Sequence, residues 1–159
     1  TRGQIQTLDI IDIDASNQQA TIVGDLCDPT TLADHGPYDC VLAPQTLQYV
    51  DDPQRAVANM YAALDEGGIL LLTVPAITRL DPDLATVDRW RWTELGITDL
   101  VQRMVPDADT QVDGHGNPVV ALAFLMGIAT EELRSSELDH FDQNFPIVVT
   151  AAIIKPHRP

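Results

Sequence analysis

Trp90 and Trp92 are the side chains best suited to grip a ligand. Paired indoles stack on a sugar ring or lid a site, or else pack against a helix. His115 and His140 lie in polar stretches, where an imidazole serves as a general base or is simply solvated. Asp139-His140-Phe141-Asp142 has metal-ligand residue types without metal-ligand spacing, and His35 and His157 are equally scattered. Cys27 and Cys40 form neither a metal pattern nor a disulfide framework, so reduced thiols and no metal are expected. The remaining chemistry-bearing positions are carboxylates: Asp9, Asp12 and Asp14 interrupt an apolar stretch, and Asp25 follows Gly24.

The elements that must hold these residues alternate. Ile5 to Ile13 reads as a strand ending in a carboxylate-rich loop, and Ala20 to Val23 as a short second strand. Tyr38 to Ala43 is a third, entered through Gly36-Pro37. Asp52-Pro53 opens a helix with Val57, Met60, Tyr61 and Leu64 at helical spacing, and Gly67-Gly68 is expected to stop it. Asp65 and Glu66 then sit at the negative end of its dipole. Ile69 to Val74 is a continuous apolar run that fits a central parallel strand covered on both faces. Pro75 to Val87 reads as a loop, and Thr93 caps a helix reaching Met104. Asp109 to Val112 reads as a strand. Asn117-Pro118 caps a helix apolar almost all round, and Val119 to Ala129 reads as a buried core segment. Pro146 to Ile154 is a final strand. The alternation predicts an α/β fold with a mostly parallel sheet.

With 159 residues and a 45% hydrophobic share, a single domain over residues 1–159 with a buried core is expected. No apolar run reaches the roughly 18 residues of a membrane-spanning helix, and no signal peptide is evident. A cytoplasmic protein is expected. The formal net charge of −15 would repel nucleic acid and anionic membranes. It also fits a solubility adaptation.

Several strings in order carry a resemblance. Gly24-Asp25-Leu26, then Tyr38-Asp39-Cys40-Val41, then Asp52-Pro53, then Leu64-Asp65-Glu66-Gly67-Gly68-Ile69-Leu70-Leu71-Leu72 resemble class I S-adenosylmethionine-dependent methyltransferases. Arg89-Trp90-Arg91-Trp92-Thr93, Gly116-Asn117, Gly127-Ile128-Ala129 and Glu131-Glu132-Leu133 are similar to a bacterial subgroup found beside glycan-synthesis enzymes. The resemblance implies a Rossmann-like sheet with flanking helices and one antiparallel strand, Pro146 to Lys155, near the end. Gln4 to Leu8 would be its second strand.

By the same resemblance, Asp9 would accept hydrogen bonds from the ribose hydroxyls of S-adenosylmethionine, with Asp12 the rival if the register shifts. Otherwise Asp9 is a solvated strand end. Asp25 and Leu26 would meet the adenine, unless Asp25 only shapes a turn. Ala43 to Thr46 would lie where methyl donor and acceptor meet, with Gln45 positioning the acceptor and Trp90 and Trp92 contacting it. Methyl transfer needs mainly alignment, so no catalytic base is assigned. Two departures weaken the match: Asp65-Glu66-Gly67-Gly68 replaces a Lys-Pro-Gly-Gly pattern, and Gln48 stands where relatives often carry histidine.

The family's first strand and its glycine-rich loop would precede Thr1, so the chain reads as a truncated domain. The only G-x-G is Gly114-His115-Gly116, in another context. A missing central strand exposes apolar edges prone to pairing. Homodimerisation, or direct packing of the Gln4–Leu8 strand on Tyr38–Ala43, is therefore predicted. Two functions stand: methyl transfer to a small-molecule or sugar-type acceptor, or a non-catalytic module that binds a partner through the gap.

Overall fold

A computed structural model describes residues 5–157. The elements are β1 (Ile11–Asp12), β2 (Ile22–Val23), β3 (Tyr38–Pro44), α1 (Pro53–Ala62), β4 (Leu64–Pro75), α2 (Glu94–Met104), β5 (Asp109–His115), α3 (Pro118–Met126), α4 (Ser135–Leu138) and β6 (Val148–Ile154). A 3-10 turn, Thr130–Glu132, lies between α3 and α4. The main sheet has the order β3-β4-β6-β5. β3 and β4 are parallel, and β6 runs antiparallel to both β4 and β5. Three of its four strands thus share one direction, and β6 is the expected antiparallel strand near the end.

Local chemistry sets the helices. The Asp52 carboxylate accepts from the Arg55 N–H at 3.1 Å, and Pro53 follows in the first turn. Thr93 Oγ1 accepts from the Gly96 N–H, and Asn117 Oδ1 from those of Val119 and Val120. The buried faces of α1 (Ala56, Val57, Met60) and α2 (Ile97, Leu100, Val101) meet Leu70, Leu72 and Val74 of β4 and Val149, Ala151 and Ile153 of β6 in one core.

Five expectations are corrected. Helix α1 ends at Ala62, not at the glycines: the Ala63 N–H bonds Asn59 O, and the chain turns directly into β4. Gly67 and Gly68 lie within β4, where Gly67 adopts φ +77° and a Cβ on Gly68 would come 2.8 Å from Tyr38 O. The β4 run is also not covered on both faces. Its Leu71 pairs in register with Leu42, and the two are 38% and 68% exposed.

The amino-terminal strand is Ile11–Asp12, not Gln4–Leu8; Ile5 to Leu8 form no strand, and Gln4 lies outside the described residues. β1 pairs only with β2, parallel, in a separate two-stranded sheet. No ladder joins it to β3, so the direct strand packing does not occur, and β3 is an edge strand among the described residues. Thr21 and Asp9 explain part of this: the Thr21 side chain bonds Asp9 and the Ile10 backbone, tying the entry to β1 onto β2. Finally, α3 is not buried. Ala121 and Ala123 face inward while its large side chains face solvent.

Candidate functional site

The expected site residues fall into three groups. At the carboxyl end of β3 the backbone turns through Gln45 at φ +50°, a conformation an L side chain rarely adopts. Bonds from the Gln45 N–H to Thr73 O at 2.9 Å and from its Nε2 to Thr73 Oγ1 at 3.1 Å hold it there. Ala43, two residues earlier, is buried in the core. Gln48 Nε2 donates to Gln45 O at 2.9 Å. Gln48 is 4% exposed, and its Oε1 has no hydrogen-bond partner among the described residues. A buried acceptor without a donor costs about 1–3 kcal/mol.

The segment carrying the tryptophans is strapped onto this turn. Arg89 N–H donates to Gln48 O at 2.8 Å, Arg89 Nη1 to Tyr49 O at 3.2 Å, and Trp90 Nε1 to Val50 O at 2.9 Å. Trp92 N–H donates to Pro75 O at the end of β4, while its buried Nε1 has no partner among the described residues. The indole centroids are 6.0 Å apart and tilted by 34°. Both line a cleft of about 460 Å³ with Asp51, Asp52, Asp99 and Arg103. Behind them Arg91 clamps Asp88 through two bonds, Nη1 to Oδ1 at 2.6 Å and Nη2 to Oδ2 at 2.9 Å. That guanidinium holds the Asp88 carboxyl below the usual carboxylate range. Gln45, Trp90 and Trp92 are thus brought to one end of the sheet.

Asp25 and Leu26 form the second group. Asp25 Oδ1 accepts from the Cys27 N–H at 2.8 Å, the local turn expected of an aspartate there. The exposed Asp25 carboxylate also hydrogen-bonds the Cys27 thiol. Asn59 of α1 donates to Leu26 O at 2.8 Å, and the Leu26 side chain packs against the main core.

Asp9 stands apart. Its Oδ2 accepts from Tyr38 Oη at 2.9 Å and its Oδ1 from Thr21 Oγ1 at 3.0 Å. Tyr38 begins β3, so Asp9 is anchored at the end of that strand opposite Gln45. Asp12, the rival, ends β1, with Oδ1 on the Asp14 N–H and Oδ2 on Asn17 Nδ2. Those donors lower its pKa. His115 Nε2 lies 2.9 Å from Thr150 Oγ1 across the β5–β6 ladder, and His115 is not among the residues lining the cleft. Gln48 was visible in the sequence only as a departure; its burial and missing donor required the fold. No group of three His, Cys, Asp or Glu side chains suited to a metal occurs among the described residues, and no helix there is long and apolar enough to cross a membrane.

Strand order, direction and the site at strand ends define a Rossmann-like α/β domain. The chain belongs to the methyltransferase-domain family, whose model matches residues 3–110. No curated protein sequence matches it. Among solved structures it is similar to a plantazolicin methyltransferase in complex with a triazolic desmethylPZN analog and SAH (TM-score 0.58, 12% identity, 95% of this chain and 69% of that one). It is also similar to a SAM-dependent methyltransferase from Archaeoglobus fulgidus (0.55, 13%, 91% and 74%). A third is Haemonchus contortus phosphoethanolamine N-methyltransferase 2 in complex with S-adenosyl-L-methionine (0.52, 17%, 85% and 36%). The chain therefore spans little more than a third of that last relative.

Proposed function

We propose that this chain takes part in methyl transfer from S-adenosylmethionine to a small-molecule or sugar-type acceptor. The cofactor, when bound, supplies the methyl group; the protein's task is to bind and align it. The donor set fits its adenosine half in chemistry. Asp25, bonded locally to the Cys27 backbone and thiol, offers its remaining acceptor sites to an exocyclic amine, and Leu26 an apolar wall. Asp9 already holds one donor on each oxygen, from Tyr38 and Thr21, and would meet a ribose diol with its remaining lone pairs. Ala43 closes the floor of the strand end, and Gln45, Trp90 and Trp92 receive the acceptor.

One observation carries the reading: the Arg89–Gln48 bond, which ties the tryptophan-bearing segment to the chain three residues beyond the strained Gln45 turn at the carboxyl end of β3. Ligands of open α/β sheets bind at such ends. The same reading keeps residues 1–159 as one domain of a cytoplasmic protein, related to methyltransferases of glycan synthesis.

The second reading, a non-catalytic module, is favoured by the unpaired edge of β3 and by the distance of Asp9 from Gln45. Calorimetric titration of the chain with S-adenosylmethionine separates the two. Saturable binding, weakened about tenfold by Asp25→Ala through loss of one hydrogen bond, supports the enzyme reading. No heat at millimolar cofactor sinks it for this chain.

A further inference from the structure

We propose that α3 is a self-association face whose partner is a second copy of this chain. The inference rests on no part of the methyltransferase reading. In an ordinary surface helix the apolar stripe faces the core. Here the helix is apolar all round and its large side chains stay exposed. Val119, Leu122, Leu125 and Met126, at spacings of three, three and one, share one side of the helix, and all four are exposed. Leu122 is 62% exposed and Met126 73%, whereas the inward positions are the small Ala121 and Ala123. The Asn117 side chain fixes this orientation: it is buried, caps the helix, and donates to Glu137 O and His140 O.

Charge selects the occupant. The chain carries a net charge of −15, so most faces of two copies repel each other. Residues 116–130 contain no ionisable side chain, which makes α3 a neutral window in an acidic surface. A lipid surface fits poorly. Interfacial helices carry basic flanks, whereas Glu131, Glu132, Glu137, Asp139 and Asp142 follow this one against the single Arg134. A copy of the same helix offers a neutral, apolar, self-complementary surface under two-fold symmetry. Covering the four-residue stripe on both copies removes on the order of 1,000 Å² from water, near the lower bound for a specific interface.

Sedimentation velocity of the chain over a concentration series tests this. The expected result is a reversible dimer, at twice the 17.4 kDa chain mass, that tightens with added salt as like charges are screened. Leu122→Glu should leave a monomer with an unchanged circular dichroism spectrum. The double variant Leu122→Ala, Met126→Ala adds no charge and should weaken the dimer at least about tenfold. Leu42→Glu, on the open sheet face, should leave it intact. A wild-type chain that stays monomeric at about 100 μM overturns the proposal. So does a dimer lost in Leu42→Glu but kept in Leu122→Glu. Binding to phosphatidylcholine vesicles that Leu122→Glu abolishes, without dimerisation, reassigns the face to lipid.

Discussion

The Tyr38 hydroxyl donates to the Asp9 carboxylate at 2.9 Å across 29 residues. That bond ties the segment leading into the small sheet to the first strand of the large one, where no backbone ladder does so. It also commits a carboxylate that the family resemblance assigns to ribose. Burial, and then the adjacent Asp9 carboxylate, push the Tyr38 phenol up to about 12.

The raised pKa makes this contact visible. A group whose pKa is higher folded than unfolded stabilises the fold fully below its unfolded pKa, near 10, and loses that contribution as pH rises through the folded value. Ultraviolet titration, compared with Tyr38→Phe, should show one phenol ionising near pH 12. Stability should fall between about pH 10 and 12 in the native chain and less in Tyr38→Phe. Asp9→Asn should bring the midpoint down; an unmoved midpoint would show that the carboxylate plays no part.

Lys155, the chain's only lysine, holds the C-terminus of α1. Its Nζ donates to Leu64 O at 2.6 Å, Ala62 O at 3.3 Å and Tyr61 O at 3.5 Å. A cation on these carbonyls offsets the helix dipole, which Asp65 and Glu66 oppose. Lys155→Met should cost about 1–2 kcal/mol in urea unfolding. Lys155→Arg should recover part of it.

The clamp behind the cleft should respond to acid. The Asp88 side chain is 3% exposed and its carboxyl lies below the usual range because of Arg91. A lowered carboxylate pKa contributes stability above its unfolded value, near 3.9, that is lost as pH falls through the folded one. Tryptophan fluorescence, reporting Trp90 and Trp92, should therefore change below about pH 4. Asp88→Asn should show the changed emission already at neutral pH and unfold about 1–2 kcal/mol more easily. Identical acid profiles in both proteins would detach the clamp from the tryptophans.

Read locally, the chain is explicit about its helix starts. Asp52-Pro53, Thr93 and Asn117-Pro118 satisfy orphan N–H groups with nearby side chains, an interaction that needs only two or three residues. The β-branched and apolar runs of β3, β4 and β6 are equally local, and the order of these pieces was enough to suggest the family. The tertiary structure decided the rest. Where α1 ends depends on Lys155, 93 residues beyond Ala62. Whether α3 is core or surface depends on what packs against it, and an all-apolar sequence reads the same either way. Asp9 looked like a free acceptor at a strand end; only folding brought Tyr38 and Thr21 onto its oxygens. Hydrogen-bond partners so distant in sequence leave no periodic trace, so the availability of a site residue belongs to the fold, while its chemical type belongs to the sequence.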